Sequence, residues 1–248
     1  MKKIKYSFII LIFLGSLIFL FSPEVFPEIG NFQEFLNSAS QNDVIIIFNS
    51  GGWGNTPLEK AEDFAPIIEG IQETLNEWGY NSMVIPYERT KNSFFGKITG
   101  IKGTIWAFRN QAEPLSKEIE EFLKKNPSKK IIMAGLSNGA AFVDDTMGEI
   151  SDNIKNQVLA IEVGVPFWKK KLDSENILLL NNQGKDPLSK GEIKVLFSVL
   201  FKAPLRWLLA KVSGENITFS QALYFSGHEY SWIKVKPDIT SFLESKLK

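Results

Sequence analysis

Between Val44 and Phe48 the chain reads Val-Ile-Ile-Ile-Phe, an apolar run with no polar residue to mark a wet face. A strand with one solvated face alternates apolar and polar side chains, so a run of this kind needs cover on both sides. Runs of strand character return at Ser82 to Pro86, Lys130 to Ala134, Val158 to Val163, Ile177 to Leu180 and Thr218 to Phe225. Helical patterns separate them. Thr56, Pro57 and Glu59 carry a helix-start signature, and Pro66 is expected to divide that helix. Its second part sets Ile67, Ile68, Ile71, Leu75 and Trp78 on one face and stops at Gly79. Pro114 opens a helix with Leu115, Ile119, Phe122 and Leu123 inward, closed by Pro127. A third helix runs from beyond Ser137 to about Ile150, and a last one from Pro237 to Leu247. Strands alternating with helices predict an α/β domain over residues 43–248, a mainly parallel sheet covered by helices on both faces.

Composition narrows the chemistry. Lys plus Arg and Asp plus Glu both total 28, so no net field draws the chain to nucleic acid. There is no cysteine, which removes disulfides, thiol nucleophiles and cysteine-held metals. His228 is the only histidine, so multi-histidine metal sites are excluded and chemistry near neutral pH has one imidazole to draw on.

The N-terminus stands apart. Lys2, Lys3 and Lys5 precede an uncharged run from Tyr6 to Phe21, closed by Ser22, Pro23 and Glu24. The basic flank and apolar run fit a targeting segment over residues 1–27, but Leu20 and Phe21 do not offer the small residues of a signal-peptidase site. A retained anchor is the expectation, with a cleaved signal and a secreted product as the alternative. As a helix the run would span about 24 Å, short of the roughly 30 Å hydrocarbon core, so it needs flanking help from Val25 and Phe26. The positive-inside rule then puts the domain outside the cytoplasm, after a linker over 28–42.

Gly135, Leu136, Ser137, Asn138 and Gly139 spell G-x-S-x-G directly after a buried strand and before a helix. That context asks for a strained turn that exposes the serine hydroxyl, with glycine where a side chain would strike neighbouring backbone. Downstream, Asp186 follows the strand Ile177 to Leu180, and His228 follows the run Thr218 to Phe225. Glu162, near the end of an earlier strand, is a second carboxylate. No phosphate-binding glycine pattern is present.

From Val44 to the C-terminus this layout resembles the α/β-hydrolase superfamily, in its serine esterase and lipase-like members. The resemblance implies Ser137 as nucleophile, His228 as base and Asp186 as the acid, with Glu162 as its rival; Glu229 and Tyr230 receive no direct role. It implies an oxyanion hole from the Asn138 amide and a second amide, of Gly52 or Trp53, in a loop that carries Asn49 and Ser50 where many relatives have histidine and glycine. No metal or organic cofactor is implied. The stretch between Val163 and Ile177 is too short for a large cap domain.

The implied function is acyl transfer on a carboxylic ester, with a small-molecule or lipid-like acyl substrate, no nucleic-acid partner and an undetermined oligomeric state. Alternatives are a peptidase or thioesterase with the same triad, a non-catalytic membrane-tethered binding module, and a structural membrane protein with an accidental motif. Val195 to Val212, rich in Leu, Phe and Val, carries Trp207, Lys202, Arg206 and Lys211. It reads either as a core helix or as a lid or acyl-binding wall that meets the membrane, and Pro204 is expected to break its helical course.

Overall fold

The computed structural model describes residues 19–24, 26, 30–106, 108–215, 217, 222 and 225–248. In chain order it has α1 (Gly30–Ser38), β1 (Val44–Asn49), α2 (Ala65–Glu77), β2 (Ser82–Pro86), α3 (Phe94–Trp106), α4 (Arg109–Lys125), β3 (Lys130–Leu136) and α5 (Asn138–Glu149). Then follow β4 (Val158–Val163), β5 (Ile177–Leu180), α6 (Ile193–Val212) and α7 (Trp232–Leu247). The five strands among the described residues pair in parallel in the order β2-β1-β3-β4-β5. The expected strand over Thr218 to Phe225 falls mostly outside the described residues, as does the N-terminal run up to residue 18. Among the described residues no helix is long and apolar enough to cross a membrane.

The uninterrupted runs are explained by two cores. Ile45 and Ile47 of β1 and Ile131 and Met133 of β3 face α1, α4 and α5, where they meet Leu36, Ile119, Phe122 and Phe142. Val44, Ile46 and Phe48 face the other way, toward Ile67, Ile71 and Leu75 of α2 and Ile239 and Leu243 of α7. Every residue of β1 and β4 is buried.

Several expectations are corrected. The stretch taken as a linker, 28–42, contains α1, because Phe32, Leu36 and Ala39 give it an apolar face that the sheet covers. The signature at Thr56 to Glu59 yields one 3-10 turn, Leu58–Lys60, and Pro66 stands in the first turn of α2 rather than dividing a helix. Among the described residues three prolines lie beyond the first turn of a helix: Pro114 in α4, Pro204 in α6 and Pro237 in α7. Each removes the donor for the carbonyl four residues earlier, on Asn110, Leu200 and Ile233, and all three of those residues are exposed, so water serves where the helix does not. Helix α6 is therefore continuous through Pro204, and it is no core helix, since only Val199, Ala203 and Ala210 are buried. No element was expected over α3. Its Gly100 lets the Trp53 backbone and ring approach, and its Gly103 makes the same room for the Phe108 ring, at the expense of a clear apolar period.

Candidate active site

The parallel order brings the carboxyl ends of β1, β3, β4 and β5 side by side. At the end of β3, Ser137 has φ 54° and ψ −116°, a backbone state that costs a non-glycine residue about 1–3 kcal/mol. Its amide donates to the Val163 carbonyl at the end of β4 (2.8 Å), and its carbonyl accepts from Ala141 to start α5 (3.0 Å). The flanking glycines are required by space. A Cβ on Gly135 would lie 2.5 Å from the Gly139 carbonyl carbon, and one on Gly139 would strike the carbonyl oxygens of Asn49 and Ser50.

Beyond β5, Asp186 is buried and caps a short helical turn, its Oδ1 accepting from the amides of Leu188 (2.8 Å) and Ser189 (3.2 Å). Its Oδ2 lies 2.8 Å from His228 Nδ1 and accepts from Tyr230 Oη (2.6 Å) and Ser189 Oγ (3.0 Å). Burial pushes this carboxyl up, but the hydrogen bond and charge of His228, joined by Tyr230 and Ser189, outweigh it and hold the group at about 2. Facing an ionised carboxylate, Nδ1 carries the proton and Nε2 is left as the basic nitrogen.

His228 is seated by two glycines. Gly164, the residue after the Val163 that accepts from Ser137, has φ +65°, and a Cβ there would lie 2.6 Å from the imidazole Cε1. Gly227 has φ +93° and abuts the Lys185 carbonyl, while Asn182 Nδ2 donates to the Gly227 carbonyl (2.9 Å). The acid loop and the histidine loop are thus pinned to each other. They meet at the β4 end that also binds the Ser137 amide.

Glu162 stands elsewhere. It points from β4 toward α5, both oxygens are buried and neither has a hydrogen-bond partner among the described residues. Burial, followed by the charge of Asp144, raises its pKa well above the usual carboxylate range. The carboxylate in contact with His228 is Asp186. Tyr230, given no role by sequence reasoning, donates to that same carboxylate. It lies two residues after His228, with the two rings 5.8 Å apart and nearly perpendicular, and that short spacing was the signal that could have found it.

The loop after β1 is held by its carbonyls. Ser50 accepts from Arg89 Nη2 (2.6 Å), Gly51 from the Gly54 amide (3.1 Å), Gly52 from Asn138 Nδ2 (3.3 Å), Trp53 from Thr90 Oγ1 (2.8 Å) and Gly54 from the Arg89 amide (2.7 Å). With every carbonyl from 50 to 54 engaged, the amides of Gly51, Gly52 and Trp53 donate to no described residue. The amide of Asn138, first in α5, likewise has no acceptor within its helix. Arg89 and Thr90 were not singled out from the sequence. Among the described residues no group of His, Asp and Glu could hold a metal ion.

A parallel sheet with helices on both faces, a strained serine at the end of its central strand and the acid and histidine on later loops define the α/β-hydrolase fold. The chain has that fold. No family model matches the sequence, and no curated protein matches it. Among solved structures, Trichoderma reesei cutinase in complex with a C11Y4 phosphonate inhibitor superposes with a TM-score of 0.56 at 12% identity, over 95% of this chain and 97% of that one. An acetylxylan esterase covers 82% of this chain and 98% of its own at 13% identity, with a TM-score of 0.47.

Proposed function

We propose that this protein is a serine hydrolase that cleaves carboxylic esters through an acyl-enzyme. The observation that carries the reading is the Asp186–His228 contact of 2.8 Å beside a serine held at φ 54° in a glycine-flanked turn. In this mechanism His228 Nε2 takes the Ser137 proton as Oγ attacks the ester carbonyl. The oxygen that gains charge faces the Asn138 amide and amides of the Gly52–Trp53 loop. The imidazolium returns the proton to the departing alkoxide, an alcohol leaves, and water then repeats the sequence to release the acid and restore Ser137. A chromogenic ester tests this: alcohol release should begin with a burst equal to the enzyme concentration, and a strictly linear course with full activity in Ser137→Ala would refute it.

We further propose lipid-like or medium-chain acyl substrates, met at a membrane surface, with the N-terminal run as tether and the catalytic domain outside the cytoplasm. Helix α6 supports this. Phe197, Phe201, Leu205, Leu208 and Val212 recur at helical spacing on the side opposite Val199, Ala203 and Ala210, and are 55% to 80% exposed. Its only charges between Ile193 and Val212 are cationic, on Lys194, Lys202, Arg206 and Lys211. An apolar stripe with basic flanks suits the boundary between acyl chains and anionic headgroups. Membrane fractionation and protease access in intact cells test the topology. On the soluble domain, Trp207→Ala should raise KM for long-chain esters and spare acetate esters, whereas equal losses on both would remove α6 from acyl binding.

A further inference from the structure

Segment 87–90 continues beyond β2 and runs alongside the loop that follows β1, because the two strands are parallel neighbours. It begins with the Tyr87 amide donating to the Phe48 carbonyl (2.9 Å) and delivers Arg89 beneath residues 50–54. Arg89 is 1% exposed. It grips the loop at both ends, with Nη2 on the Ser50 carbonyl (2.6 Å) and its own amide on the Gly54 carbonyl (2.7 Å). Gly54 has φ +78°, and a Cβ there would lie 2.5 Å from Arg89 Nε, so the loop is wrapped closely on the guanidinium. The rings of Phe108 and Phe142 lie 5.0 and 5.7 Å from Cζ. Among the described residues no carboxylate pairs with it, and Nε and Nη1 have no hydrogen-bond partner.

A buried cation without a counter-ion is a poor device for stability, since an apolar residue of similar volume at such a site is often as good or better. Its geometry serves the loop. The Ser50 carbonyl and the Gly51 amide belong to one peptide group, so a charged donor on that oxygen polarises the adjoining N–H and strengthens it as a donor. The negative charge that this guanidinium lacks is the charge that develops on the substrate oxygen at the loop. We propose that Arg89 is a positioning residue for the oxyanion loop, fixing residues 50–54 with the amides of Gly51, Gly52 and Trp53 free and supplying a buried positive charge behind them. It acts through the loop and does not touch substrate.

This proposal rests on the serine hydrolase reading, and its test separates the two. Wild type, Arg89→Met and Arg89→Lys are compared on a short soluble ester, each rate being divided by the number of sites that a fluorophosphonate labels at completion. Labelling of the wild type at Ser137 secures the underlying reading; its absence there would sink both. With labelling in place, Arg89→Met should lose about 10- to 100-fold in kcat per labelled site with little change in KM, less than the roughly 10²- to 10³-fold worth of an oxyanion donor itself, because Arg89 acts through the loop. Its Tm should hold or rise. Arg89→Lys, which keeps a charge near the Ser50 carbonyl, should recover part of that loss. A wild-type kcat per labelled site in Arg89→Met would overturn the proposal, and so would a lysine variant as slow as the methionine one. Should Arg89→Met fail to fold, the lysine variant decides: a kcat per labelled site reduced severalfold with KM and Tm near wild type would sustain the positioning role, and an unchanged kcat, whatever the Tm, would overturn it.

Discussion

Asp186 is asked to satisfy five donors with two oxygens: the amides of Leu188 and Ser189, the hydroxyls of Ser189 and Tyr230, and His228 Nδ1. The backbone donors fix the carboxylate, and the others sit around the oxygen that faces the imidazole. Asp186→Asn should therefore keep the fold and lower kcat by about 10³- to 10⁴-fold through the wrong histidine tautomer, measurable on any ester the wild type cleaves. Tyr230→Phe should cost about tenfold or less, because one of five donors is lost. The two buried carboxylates also make opposite pH predictions. Asp186, held at about 2, contributes stability that is present above its ordinary pKa and lost as pH falls through about 4 toward 2. Glu162, raised by burial, favours the fold at low pH and progressively loses that contribution as pH rises above its ordinary range. Melting curves should show Glu162→Gln gaining on wild type from pH 5 to 8 with kcat unchanged; a large kcat loss would return Glu162 to the mechanism.

At the scale of elements, the site depends on backbone meeting backbone. Gly164→Ala would combine a left-handed φ with a Cβ against the His228 ring, and should reduce Tm and kcat together, with a strain cost of about 1–3 kcal/mol. Helix α6 makes a separable prediction. Phe201→Ser with Leu208→Ser should abolish binding of the domain to phosphatidylglycerol vesicles and leave hydrolysis of a soluble acetate ester intact; unchanged vesicle binding would remove the stripe from membrane contact. Strands were legible from the sequence because a run such as Val44 to Phe48 permits few environments. Helix starts were not. Pro114 and Pro237 look like first residues, yet the chain extends each helix upstream, because the carbonyls they orphan face water. Helix α1 hid behind its short length and α3 behind its glycines.

For the whole molecule, the order β2-β1-β3-β4-β5 brings separate stretches of sequence together at the carboxyl ends of the strands, where the Ser137 amide meets Val163, the neighbouring Gly164 packs on His228 and His228 contacts Asp186. The glycine-flanked serine was visible in the sequence because the strand-to-helix turn restricts residue type and spacing, and His228 because the chain has no other histidine. The supporting contacts were hidden. Arg89 and Thr90 meet the site through long-range packing, and no local pattern marks them, whereas Ser189 and Tyr230 lie three and two residues from Asp186 and His228 in sequence. The body also holds the chain that leads from the N-terminal run, since Lys102 Nζ donates to the Ser22 carbonyl (2.7 Å) and Asn110 to Glu24 (2.9 Å). The central claim is that this assembly activates one serine. Reaction of the full chain with a fluorophosphonate, followed by peptide mass mapping, tests it most directly: a single adduct on Ser137, slowed by Asp186→Asn and absent in Ser137→Ala, is the predicted result, and an unlabelled wild-type protein or an adduct on another residue would contradict it.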